Sequence, residues 1–312
     1  MLLEGIVVIV VSVAIVVSNT INLVVWSRVK GVSRTTLLFF LNLSVSDLLV
    51  GVVACAPSVY PSFAGSWPYG AVWCQISGVT HGTSVTISIW SISMIGIDRY
   101  VAVSKPHTYR HLASVRGSVA IVTGLWTAAI VTFVAPILFK RDFVYYKYRN
   151  AVKMCGMHWE YPAYCVITGM YIPVASGCVL VYTVLRIRAA LAREHDTLRV
   201  RCNRRVFNIL VAASLTYFAC WGPYVILVIV TAVTSLRPPE WLSFCSAWMA
   251  NANSFVNVFV YSASSPAFRR GLRELGVFPA HALRPNLSET VLGPDNNDGN
   301  FVDRNGKCST AL

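Results

Sequence analysis

The sequence predicts an all-α membrane protein, a seven-transmembrane helix bundle with a short amphipathic helix after the seventh span. Three observations lead there. Of 312 residues, 55% are hydrophobic and only 12% are charged, about half the charged share of a soluble domain. Mean hydropathy is +0.59. Seven stretches, roughly 5–26, 36–60, 72–104, 118–139, 163–186, 206–233 and 241–263, are each long enough to cross a hydrocarbon core of about 30 Å.

The first stretch, Gly5 to Trp26, carries no charge. It is longer than a signal-peptide core and no small-residue cleavage site follows it, so it reads as a spanning helix that acts as its own insertion signal. The third stretch runs from Trp73-Cys74 to Ile97-Asp98-Arg99-Tyr100-Val101. The 25 residues from Cys74 to Arg99 amount to about 37 Å at ~1.5 Å per residue. A cysteine therefore lies at one membrane face and an acid–arginine pair at the other, an arrangement suited to signalling rather than to chemistry. Pro57, Pro136, Pro173 and Pro223 fall inside the second, fourth, fifth and sixth stretches, where each removes a backbone hydrogen bond and invites a kink. Cys220-Trp221-Gly222-Pro223 sets an indole beside one of them.

After the seventh stretch, Ser265-Pro266 reads as a helix N-cap with proline at the first helical position. Phe268, Leu272 and Leu275 then recur on one face and Arg269, Arg270 and Arg273 on the other, predicting a helix on the membrane surface. The chain divides into a seven-transmembrane domain over 1–263, this amphipathic helix over 264–276, and a polar tail over 277–312 expected to be disordered.

The net charge of +13 follows from topology. Of 26 basic residues, twenty fall on alternate connections and the tail, and six on the other side. The positive-inside rule places the amino terminus outside and the tail in the cytosol. Such a basic face suits anionic lipid or an acidic partner; nucleic acid is not an expected partner. Nine cysteines show no metal-ligand spacing. Cys55, Cys178 and Cys220 lie within spans and are expected to be small buried residues. Cys74, Cys155, Cys165 and Cys245 lie on the outer side, where disulfides persist. Cys74–Cys155 is the expected bridge, and Cys165–Cys245 is a second pairing left open. The sequon at Asn42 lies within a span and the one at Asn286 in the cytosol, so neither is expected to carry glycan.

Asp47 is the only acid deep within a span, and an ionised carboxylate there costs at least about 2.5–3.5 kcal/mol on insertion scales. Asn19, Ser88, Asn253, Ser254 and Asn257 recur at similar depth. A carboxylate ringed by such groups can hold a sodium ion, a water cluster or its own proton; a satisfied hydrogen-bond network is the plainer alternative.

In sum these residues resemble the rhodopsin-like (class A) G-protein-coupled receptors over residues 5–275. The matching elements run in that family's order: Ser18-Asn19, Leu43 to Asp47, Cys74 through Asp98-Arg99-Tyr100, Trp126, Pro173, Cys220 to Pro223, and Asn257 to Tyr261. The resemblance implies that Asp98, Arg99 and Tyr100 engage a heterotrimeric G protein, with Asn257, Tyr261, Trp221 and Pro223 forming the switch. It implies a sodium site or polar network at Asp47, Asn19, Ser88, Asn253 and Asn257. It also implies a ligand pocket near His81, Thr86, Trp221, Tyr224 and Asn251. Departures narrow the reading. Val258 replaces the proline usual after Asn257. Asn251 stands where opsins keep their retinal lysine, and His81 stands where amine receptors carry an aspartate. Asn203 replaces the acid on helix six that would restrain Arg99, so high basal activity is expected. Helix seven and Cys155-Gly156-Met157-His158-Trp159 most resemble a branch of vertebrate brain orphan receptors linked to Gs.

The expected function is thus a plasma-membrane receptor signalling through Gs, driven by an extracellular ligand or by its own aromatic, basic outer loop. Arrestin, and a PDZ domain at Thr310-Ala311-Leu312, are further candidate partners; Cys308 is a candidate for palmitoylation. The alternatives are a non-coupling decoy receptor and a seven-helix transporter, which would need a chain of intramembrane acids. No enzyme motif such as H-E-x-x-H or G-x-S-x-G is present.

Overall fold

The computed structural model describes residues 2–29, 32–105, 107–109, 114–139, 145–157, 166–193, 197–234 and 238–276. Among them, seven long helices form the bundle: α1 (Leu2–Arg28), α2 (Arg34–Ala64), α3 (Gly70–Ser104), α4 (Val115–Phe139), α5 (Ile172–Arg193), α6 (Thr197–Thr234) and α7 (Glu240–Ser264). A nine-residue α8 (Pro266–Glu274) follows. Between α4 and α5, β1 (Tyr146–Arg149) and β2 (Met154–Met157) form an antiparallel hairpin. The tail from residue 277, with Cys308 and Thr310 to Leu312, lies outside the described residues, as does Cys165; Cys245 carries a free, exposed thiol.

Two of the four prolines change the winding of their helices. In α2 the α-helical ladder gives way to a π-helical turn at Val50–Cys55 and a 3-10 turn at Ala56–Ser58, which contains Pro57. A second π turn, Ile167–Tyr171, leads into α5 just before Pro173. Proline offers no N–H and its ring displaces the preceding carbonyl, so the chain rewinds locally to find other partners. Pro136 and Pro223 sit within uninterrupted α-helix.

Around the bundle α1 packs on α2 and α7, α6 on α5 and α7, and α3 threads the middle against α2, α4, α5 and α6. This central position explains a difference from simple hydropathy. Among the described residues five helices are apolar enough by themselves to cross a membrane, and α3 and α7 are not among them. Protein, not lipid, is the solvent of α3. It buries Ser77, Thr83, Ser84, Thr86, Ser88, Ser91 and Ser93, and Ser91 donates to its own helix at Ile87 O (2.7 Å), which meets the demand that polar groups be satisfied internally. The second side of that hydroxyl is also used. Trp126 Nε1 on α4 donates to Asn42 Oδ1 (2.8 Å), and Asn42 Nδ2 donates to Ser91 Oγ (2.7 Å), clasping α4, α2 and α3. The sequon asparagine is therefore a packing residue.

Helices α5 and α6 extend past their apolar stretches, to Arg193 and from Thr197, because hydropathy marks where lipid ends and not where a helix of good formers such as Leu and Arg must end. Two expectations need correction. Cys178 is exposed on the bundle surface rather than buried. And α8 does not lay its whole apolar face in lipid. Phe268 and Leu272 are fully buried against the bundle, where Trp26, Phe40, Tyr261 and Phe268 form one aromatic cluster with centroids 4.5–5.6 Å apart. Ser265 Oγ accepts from Phe268 N (3.2 Å), as the N-cap reading expects. Arg269 donates back to the carbonyls of Ser262 and Ala263, which end α7. Removing the Phe268 ring leaves a cavity, so Phe268→Ala should destabilise the protein by about 3–5 kcal/mol. Thermal unfolding in detergent measures this, and an unchanged midpoint would mean that α8 is not docked.

Candidate functional site

Gln75, one residue after Cys74, is the bracket on which the hairpin hangs. Its Oε1 accepts from the amides of Tyr145 (3.1 Å) and Tyr146 (2.9 Å), while its Nε2 donates to Tyr146 O (2.7 Å). The expected bridge joins Cys74 on α3 to Cys155 on β2, with Cα atoms 5.5 Å apart. Tyr146 lies fully buried over α3 and donates its hydroxyl to Phe133 O (2.9 Å). The close approach requires glycine: a Cβ at Gly78 would lie 2.3 Å from the Tyr146 ring, and one at Gly82 2.4 Å from Phe133.

The far strand reaches across to α7. Trp248 Nε1 donates to Val152 O (3.0 Å), and Asn251 Nδ2 donates to Met154 Sδ (3.4 Å). Met154 is buried among Val8, Ile15, Val50, Phe244 and Trp248. Between these contacts Lys153 adopts a left-handed backbone (φ 58°), unfavourable for a side chain with a Cβ. It is held there by an ion pair with Glu4 (3.3 Å) and by Asn150 Oδ1 (2.9 Å). Tyr148 donates to Pro61 O (3.1 Å); burial and the Glu4 carboxylate push its phenol above the ordinary range, which keeps the donor protonated. The hairpin thus lies over one end of the bundle and ties α3 to α7.

Beneath it lies a cavity of about 140 Å³, below the roughly 300–1,000 Å³ of typical ligand sites. His81, Thr86, Trp221, Tyr224 and Asn251 all line it, so the structure brings together the five pocket residues named from sequence. His81 Nε2 and Asn251 Oδ1 are 2.9 Å apart, a direct α3–α7 contact. From sequence, the aromatic, basic outer loop, Tyr145 to Tyr148, is expected to fold into the pocket, and Tyr146 does line this wall; Val152 and Met154 also line it and were not among the residues named from sequence.

Halfway along the bundle, Asp47 is fully buried. Asn257 Nδ2 donates to its Oδ2 (3.0 Å), and Ser88 and Ser254 face the same carboxylate. Asn19 reaches α7 instead, donating to Ser254 O (2.8 Å). Asn253 is buried nearby in the sequence but is not among the groups that face Asp47. Among the described residues Asp47 Oδ1 is buried without a hydrogen-bond partner. A spare carboxylate oxygen in a ring of hydroxyls and an amide is a ligand set that a hard monovalent cation takes up, so the residues fit a sodium ion.

At the other end Arg99 is buried and held by its neighbours. Its Nε donates to Asp98 Oδ2 (3.0 Å), and Nη2 donates to Asp98 and to Thr36 Oγ1. Thr36 donates to Asp98 Oδ2 (2.8 Å) and Tyr109 OH to Asp98 Oδ1 (3.0 Å). Thr36 and Tyr109 carried no signal in the sequence, since nothing in their spacing shows that α2 and the segment after α3 converge here. Tyr100 faces the other way, edge-on to Tyr182 of α5 at 6.0 Å. Tyr261 belongs to the aromatic cluster with α8. Trp221 and Pro223 lie on α6, the indole at the cavity wall. The side chain of Asn203 lies outside the described residues.

A membrane bundle with a capped cavity at one end, a buried carboxylate at mid-depth and a caged arginine at the other end is the architecture of a signalling receptor. Residues 18–261 match the 7 transmembrane receptor (rhodopsin family). Somatostatin receptor type 4 of Rattus norvegicus is 30% identical over 297 residues, spanning 89% of this chain and 72% of that one. Neuropeptide FF receptor 2 of Mus musculus is 26% identical over 287 residues, 83% of this chain and 68% of that one. G-protein coupled receptor 52 of Mus musculus is 26% identical over 260 residues, 77% of this chain and 71% of that one. The chain belongs to the rhodopsin family of seven-transmembrane receptors. It is a multi-pass membrane protein and a receptor, not an enzyme.

Proposed function

We propose that this protein is a plasma-membrane receptor that couples to Gs and raises cAMP, with its amino terminus outside, its tail inside, and its own outer hairpin as resident agonist. The observation that carries this reading is the α3–hairpin–α7 bridge. Cys155 and Tyr146 fix the hairpin to α3, and Val152 and Met154 fix it to Trp248 and Asn251 on α7. Agonism requires that a ligand favour one global arrangement of the helices over another by differential contact. A covalently tethered segment that spans two helices above Trp221 meets that requirement without a diffusible partner. The orientation rests on the bias of basic residues, which also brings Arg99 to the cytosolic side, where a G protein would meet it.

The Asp98–Arg99–Thr36–Tyr109 cage is the restraint that such activation must break, and with asparagine at 203 the sequence offers no acid there to add to it. The experiment is ligand-free cAMP in transfected cells at matched surface expression. Met154→Ala and Gly78→Ala unseat the hairpin from opposite sides, and each should lower basal cAMP several-fold. A rise in output would reject the hairpin as agonist, and absence of G-protein recruitment by the unaltered receptor would instead support a non-coupling decoy.

We further propose that Asp47, Ser88 and Asn257 hold a sodium ion that favours the inactive arrangement. Such an ion would neutralise the buried carboxylate and tie α2, α3 and α7 together. Sodium chloride, compared with choline chloride at equal ionic strength, should raise the unfolding temperature of the receptor, and Asp47→Asn should abolish the difference. An equal sodium effect in the variant would place the ion elsewhere.

A further inference from the structure

The hairpin reaches α1 and α7 through three consecutive residues, and the middle one carries a charge. Val152 O accepts from Trp248 and Met154 Sδ from Asn251, both on α7, while Lys153 between them extends its ammonium to Glu4 on α1 (3.3 Å). The Lys153 side chain is 4% exposed and the Glu4 side chain 29%, so the two partners are unequal. A carboxylate that loses this ion pair keeps contact with water. An ammonium that loses it is a buried charge without compensation, the most destabilising result of breaking such a pair. Asn150 Oδ1 also accepts from Lys153 (2.9 Å), but Asn150 belongs to the same turn and moves with it. Among the described residues Glu4 is thus the group that ties this ammonium to a helix. The backbone points the same way: Lys153 holds φ 58°, a conformation that glycine takes without strain and lysine does not. What favours lysine at this position is therefore its side chain.

We propose that Glu4, at the hairpin end of α1, is the positioning residue that keeps the apex of the hairpin seated. When its charge is withdrawn, Lys153 turns toward water to solvate its own. Val152 and Met154 flank Lys153, so the contacts to Trp248 and Asn251 are pulled away with it. The signalling consequence rests on the hairpin reading above: a hairpin lifted from α7 is a weaker resident agonist, and α1 therefore sets the basal output through a charge on a helix other than the two the hairpin bridges.

The test reads amide hydrogen exchange on the purified full-length receptor and ligand-free cAMP in cells, on the same variants at matched surface expression. Glu4→Gln keeps the shape of the side chain and removes its charge; it should speed exchange over residues 150–157 about tenfold and lower basal cAMP several-fold. Lys153→Met should do much less, because it leaves no buried charge behind. Glu4→Gln combined with Lys153→Met should restore most of the protection and of the output, whereas a role in packing alone would make the two substitutions add. Unchanged protection of the α3 amides shows that each variant is folded. If Glu4→Gln does not reach the surface, recovery of expression by the added Lys153→Met reads the same rescue. The proposal fails if Glu4→Gln leaves exchange over 150–157 unchanged, or if the second substitution worsens rather than repairs the first. Faster exchange with unchanged cAMP keeps the latch and removes the hairpin as agonist; unchanged exchange removes the latch and leaves the hairpin reading standing.

Discussion

Hydrocarbon offers no hydrogen bonds, and that single constraint organises the molecule. Each polar side chain carried into the bundle must find its partner within the protein, and the buried polar residues accordingly collect on α1, α2, α3 and α7 where helix packs on helix. The clasp of Trp126, Asn42 and Ser91, the Asp47 centre and the His81–Asn251 contact are successive layers of the same solution. Each layer ties two or three helices by directional bonds, and a bundle tied in this way moves between discrete arrangements rather than deforming continuously.

Those layers connect the two ends. The hairpin touches α7 at Trp248 and Asn251, and two turns further along the same helix Asn257 grips Asp47. One turn beyond that, Tyr261 packs against Trp26, Phe40 and Phe268. A displacement of α7 at the hairpin would be carried along the same helix to the carboxylate and to the α8 junction, which is the route that the proposed activation by the hairpin requires. In place of the usual proline, Val258 keeps the helical N–H at this point, so α7 runs without a proline kink from Glu240 to Ser264.

Much of this was legible in the sequence. Span lengths and the Ser265 N-cap follow from rules that act locally, the Cys74–Cys155 pair from which side of the membrane each cysteine occupies, and Ser88, Ser254 and Asn257 beside Asp47 from the cost of burying charge. Asn253, by contrast, does not face the carboxylate, and Asn19 bonds to Ser254 O. The pocket residues His81, Thr86, Trp221, Tyr224 and Asn251 came from the family resemblance rather than from helical spacing, and the structure sets all five around one cavity. What escaped were contacts made by connecting segments. Tyr109 reaches Asp98 only because the chain after α3 folds back, and the four-residue strands of the hairpin are stabilised by Gln75, Gly78 and Trp248, none of them near in sequence. Local propensity carries no trace of a partner seventy or more residues away.

The seating of the hairpin is the claim on which the account turns, and amide hydrogen exchange on the ligand-free receptor examines it directly. A hairpin locked between α3 and α7 should protect the amides over 145–157 to a degree comparable with the adjoining turns of α3. Exchange at the rate of an open, solvated loop would contradict the account.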